Sequence, residues 1–154
     1  KTYSMSYNKA QKIIEILREE DVNFFINVVV EDVLIIYYHH LENEAETQIY
    51  KQMRKSPHRN YVRRNLPEGE EVAYFMMVDQ TEKIQKIYER LKVKIHSQEY
   101  KMLCYASKDY PGYSYIKIYD KDATRERMTK YLAEDMGSIR LQLLEAFQER
   151  VMCW

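Results

Sequence analysis

Glycine is almost missing from this chain: three residues in 154, Gly69, Gly112 and Gly137. Phosphate-cradling loops and sharp catalytic elbows consume glycine, because only glycine takes positive φ or permits close backbone approach without strain. A glycine-rich nucleotide loop is therefore excluded. Cysteine is equally scarce, with Cys104 and Cys153 alone and no C-x-x-C pair, so neither a disulfide framework nor a zinc ribbon is available. A reducing, cytoplasmic setting is expected. Net charge is missing too, since 24 Lys and Arg balance 24 Asp and Glu. No overall field draws the chain to nucleic acid or an anionic membrane, and such partners would need a local patch. The longest apolar runs, FFINVVV and VLIIYY, fall far short of the ~20 residues that span a bilayer as a helix. A signal peptide is not expected from the opening residues. A chain starting at Lys1 instead of methionine is expected to be a fragment or a trimmed piece.

What the chain does have is tyrosine, fifteen in all, and well-marked periodic segments. Residues 7–20 place Ala10, Ile13, Ile14 and Leu17 on one helical face, with Ser6 as N-cap. The β-branched and aromatic runs 24–30 and 33–40, separated by Glu31 and Asp32, read as a hairpin. They barely alternate, which points to cover on both faces or a face awaiting a partner. A second helix is expected over 43–55 with a thin stripe of Ala45, Ile49, Tyr50 and Met53, then a long surface loop over 56–71. A strand at 72–78, a helix at 81–92 and a hairpin of 100–106 with 113–119 come next. The remainder, from Thr124 to about Val151, reads as helix broken near Gly137 and Ser138. This order predicts an α+β fold: one mostly antiparallel sheet with helices on one face, in a single domain over 1–154.

Candidate chemistry is thin. Asp120, Lys121, Asp122, Ala123 and Thr124 close an apolar strand in a D-x-D-x-T order that resembles the opening signature of haloacid dehalogenase phosphatases. There the first Asp is the nucleophile and the second the general acid and base. Only 32 residues lie beyond Asp122, and they offer Glu134, Asp135, Glu145 and Glu149 on expected helices, with no further strand. The simpler reading is a polar strand end whose aspartates help cap the next helix. His39 and His40 are adjacent on an expected strand and would point to opposite faces, and His58, His96 and Cys104 lack ligand spacing. No metal site is expected; Cys104 reads as core. Lys51, Arg54, Lys55, His58, Arg59, Arg63 and Arg64 form the one basic cluster, interleaved with Tyr50 and Tyr61. Such a run suits phosphate groups, though a solvated helix end and loop is the commoner outcome.

Taken together, the segments resemble the C2-type cap domain of Cof-type phosphatases in the haloacid dehalogenase superfamily. The features are the helix and turn in KIIEILREEDVNFFINVVV, with Asp21, Val22, Asn23 and Phe24 at the turn, the basic stretch YKQMRKSPHRNYVRR, and VAYFMMVDQTEKIQKIYERLK. The closing hairpin with its exit IKIYDKDATRERM completes the likeness, which covers residues 7–128 and leaves 129–154 as a helical extension. The resemblance implies a cap that selects a phosphorylated small molecule for a Mg²⁺-dependent core, with Arg59, Arg63 and Arg64 as substrate contacts. It also implies that Arg125 occupies the place of the family's catalytic lysine, a change that keeps charge but not point geometry. The core motifs are absent from the chain, so a complete active site is not expected. The alternative is a stand-alone module that oligomerises or binds protein through its tyrosines and the C-terminal stripe Ile139, Leu143, Leu144, Phe147 and Val151. RNA binding through sheet tyrosines and the basic loop is the weaker alternative.

Overall fold

The computed structural model describes residues 4–123. Helix α1, Tyr7–Glu19, starts where the Ser6 hydroxyl accepts the Lys9 N–H at 3.2 Å, and buries Ala10, Ile13, Ile14 and Leu17. It ends at Asp21, whose φ of +57° turns the chain into the left-handed region without a glycine. Strands β1, Phe25–Val30, and β2, Val33–Tyr38, form the expected hairpin, with Val30 paired to Val33 across the two-residue turn. Helix α2, Glu44–Met53, is capped by Asn43, whose Oδ1 accepts the Glu46 N–H at 2.9 Å. Then come β3, Arg59–Arg63, β4, Tyr74–Gln80, and α3, Thr81–Lys94. Strands β5, Tyr100–Ala106, and β6, Tyr113–Asp120, make the second hairpin.

The six strands form one sheet in the order β3-β2-β1-β4-β6-β5, antiparallel at every pairing except β2 with β3. The α+β class with a mostly antiparallel sheet is therefore the observed one. Strand alternation sorts side chains onto two faces. Ile26, Val28, Phe75, Met77, Ile116 and Ile118 pack under α1 and α3, which contribute Leu17, Ile84, Ile87 and Leu91. Phe25, Ile36, Tyr38, Tyr74, Tyr115 and Tyr119 line the opposite face, where α2 sets down Ala45 and Ile49.

Two details differ from the sequence reading. The helices do not all share one face, because the short apolar stripe of α2 seats on the tyrosine side. That placement also explains why FFINVVV scarcely alternates: Phe25 and Ile26 are both buried, on opposite faces. The stretch 56–71 is not all loop, since β3 pairs with β2 from Leu34↔Arg59 to Tyr38↔Arg63. With one neighbour among the described residues, it tolerates the polar residues that hid it. The expected helical segment 124–151 lies outside the described residues.

Candidate functional site

The DKDAT stretch can be judged by its surroundings. Asp120 is the last residue of β6, a strand antiparallel to both of its neighbours. Its carboxylate is 9% exposed and forms an ion pair with Lys9 of α1. The other oxygen, Oδ2, accepts the Asp122 N–H at 3.1 Å, and the Asp120 carbonyl accepts the Ala123 N–H at 3.1 Å. Both carboxylate oxygens are thus engaged in holding the turn and α1. These are hydrogen bonds within the turn after β6; the helix that the aspartates were expected to cap lies outside the described residues.

Lys9 does more than pair with Asp120. Its Nζ also donates to the Glu99 carbonyl at 3.0 Å and lies 5.0 Å from the centre of the Tyr100 ring. Tyr100 answers by donating its hydroxyl to the Lys9 carbonyl at 3.0 Å. Burial, together with the charges of Glu99 and Asp120, pushes the Tyr100 phenol up to about 12. Lys101 Nζ donates to the Ala123 carbonyl at 3.0 Å, and Lys121 N–H to the Glu99 carbonyl at 3.0 Å. Through these contacts the start of α1 and the end of β6 are tied side by side.

The basic residues of the sequence reading separate. Arg59, Tyr61 and Arg63 alternate on the side of β3 that continues the tyrosine face. Arg63 lies over the Tyr38 ring at 5.8 Å, and Tyr38, Tyr50 and Tyr61 meet with centroids 5.1 to 6.1 Å apart. Burial, then the Tyr50 hydrogen bond, raises the Tyr38 phenol, whereas Arg54 and then Tyr38 lower that of Tyr50. Arg64, one residue past the strand, instead lines a cleft on the helix-covered side beside Tyr7, Ile14 and Phe24. Two of the three arginines therefore share a surface. Arg125 lies outside the described residues.

Two polar groups on the tyrosine face escaped the sequence reading. Lys117 is fully buried, its ammonium 5.0 Å from the Tyr74 ring centre and about 6 Å from those of Tyr105 and Tyr115. Its position between tyrosines in YSYIKIY, out of phase with Ile116 and Ile118, was the available signal. Glu46 is 2% exposed; its carboxylate accepts Asn23 Nδ2 at 2.9 and 3.0 Å and the Glu42 N–H at 2.6 Å. Burial dominates and raises its pKa above the usual glutamate range. Asn43 and Glu46 stand in the N-x-x-E spacing of a capping box, so this group too had a sequence signature.

His39 and His40 come after β2 instead of lying within it, and Cys104 is half-buried in β5 against the helix-side core. Among the described residues, no group of three or more His, Cys, Asp or Glu side chains could hold a metal ion. The Mg²⁺ that the resemblance implies thus finds no fitting ligand set within residues 4–123. No helix among these residues is long and apolar enough to cross a membrane.

A family profile for haloacid dehalogenase-like hydrolases matches residues 1–144. The chain belongs to that family. No curated protein matches it. The family assignment agrees with the likeness read from the segments, and the fold is consistent with a cap of that superfamily.

Proposed function

We propose that residues 4–123 are the cap of a Cof-type phosphohydrolase, a domain that closes over a separate catalytic core and selects the organic part of a phosphorylated small molecule. The observation that carries this reading is the juxtaposition of the two ends. Lys9 on α1 and Asp120 at the end of β6 form an ion pair, and an inserted domain must leave its host and return to it at one place. The antiparallel sheet supports the same reading, because helix-crossed parallel strands, not hairpins, present the catalytic ends of an open α/β core. In this role the tyrosine face, with Arg59 and Arg63 at its β3 edge, is the surface that meets substrate. Arg64 contributes from the other side of that edge only if the ligand wraps around it. Magnesium and the phosphoryl chemistry belong to the core, with Arg125 in the place of the motif lysine.

The test is catalytic. The 154-residue chain, incubated with an aryl phosphate and Mg²⁺, is expected to release no product above an Asp120→Asn control. Turnover that Asp120→Asn abolishes would contradict the proposal, since it would make Asp120 the nucleophile.

A further inference from the structure

We infer that the cleft between α1 and the segment after β3 is a second anion-binding site, one that takes a compact dianion such as a phosphate carried on an apolar or aromatic body. It lies on the helix-covered side of the sheet, away from the Arg59 and Arg63 surface, and does not depend on the cap reading. The cleft has a volume of about 540 Å³ and is open to solvent. That space accommodates a small organic ligand.

Three features give it a ligand chemistry. Arg18, from the last turn of α1, and Arg64 both line it and are both exposed. Among the described residues neither guanidinium has an ion-pair partner, in contrast to Arg90, which bonds Glu20 at 2.5 Å, and Arg63, stacked on Tyr38. Two uncommitted guanidinium groups on one cleft suit an oxyanion, to which each can donate a forked pair of hydrogen bonds. His39 adds a ring nitrogen. Glu68 is the one carboxylate among the lining residues, so the charge balance favours an anion. The rest of the lining is mixed: Gln11 and Asn65 are polar, and Ile14, Phe24 and Ile26, with the Tyr7 ring beside them, make an apolar part of the wall. Such a wall accommodates the body of a ligand whose charged end the arginines hold. A second cleft of about 370 Å³ shares Arg18, Phe24 and His39, but Asp21 and Glu42 line it, so the anion-binding end is confined to the Arg18 and Arg64 side.

The site is tested by titrating the 154-residue chain at low salt with inorganic phosphate and with phenyl phosphate, monitored by calorimetry and by arginine side-chain NMR. Expected are saturable binding of both probes, tighter for phenyl phosphate, shifts at Arg18 and Arg64, and loss of binding as salt rises. Arg18→Gln and Arg64→Gln should each weaken binding about tenfold or more, the effect of losing a charge-assisted hydrogen-bond pair. Lys86→Gln, exposed on α3, removes the same charge and should leave affinity unchanged. All three side chains are exposed, so the core is untouched, and the NMR readout on the unmodified chain stands without any variant. Three outcomes would overturn the inference: no saturable binding at millimolar probe, equal losses in all three variants, or shifts confined to Arg59 and Arg63.

Discussion

The two faces of the sheet are built from different chemistry. Under α1 and α3 the contacts are mainly aliphatic, with Ile13, Leu17, Ile84, Leu91, Ile116 and Ile118 all at 0% exposure. On the opposite face the same strands present Tyr74, Tyr115 and Tyr119 with Lys117 and Asn27, covered among the described residues by one helix of ten residues that adds the buried Glu46. A face that only needed to be dry would be filled with aliphatic residues, because each buried polar group has to find a partner. The first face therefore holds the fold together. The second spends stability on polar groups, as surfaces that meet a ligand do.

The largest effect should come from the aliphatic face. Leu17→Ala removes a fully buried side chain at the centre of the α1 contact and is expected to cost roughly 2–5 kcal/mol in urea unfolding. A loss below that range would mean the helix side is not the stabilising one. Lys9→Met comes next, since it strands the carboxylate of Asp120; with Lys9 partly exposed, a loss of about 1–3 kcal/mol is expected. It should also loosen the two ends, visible as faster hydrogen exchange of the Ala123 and Lys121 amides, whose acceptors are the Asp120 and Glu99 carbonyls.

The tyrosine face makes the opposite prediction in its acid response. Glu46 is raised by burial, so the folded state takes up this proton before the unfolded state does. Its burden on stability is greatest above the raised value and is relieved as pH falls toward the unfolded value of roughly 4.3. The Glu46→Gln variant should therefore show a flatter stability profile across that window, measured by urea unfolding at stepped pH. An unchanged profile would remove Glu46 as the source.

The smallest expected effect is at the surface. Glu20 is lowered by its hydrogen bonds to Lys94 and Arg90. Its contribution is present at neutral pH and is lost as pH falls through the depressed folded value. Because both cations are well exposed, Glu20→Gln should cost only about 0.5–1 kcal/mol, and less in high salt.

The sequence was most legible where periodicity and capping agree. Ser6 with the Ala10, Ile13, Ile14, Leu17 stripe located α1 almost to the residue, and Glu31 with Asp32 marked the first hairpin. It was least legible where tertiary position overrides pattern. The side chosen by α2 depends on which sheet face is free for Ala45 and Ile49, and β3 is a strand only because the β2 edge offers it hydrogen bonds. The division of the basic cluster follows from that strand. Arg63 and Arg64 are neighbours in sequence, and for that reason they serve opposite faces, since successive residues along an extended chain alternate. Lys9 gave no local signal at all, since its partner is 111 residues away.

The central claim is that Asp120 is a structural anion joining the two ends of a cap. It is tested most directly by incubating the chain with acetyl phosphate and Mg²⁺, then trapping any acyl phosphate with borohydride and mapping it by mass spectrometry. No modification at Asp120 is the predicted result. Reduction of the Asp120 side chain to homoserine, the alcohol left when hydride displaces phosphate from an aspartyl phosphate, and its absence from Asp120→Asn, would contradict the account.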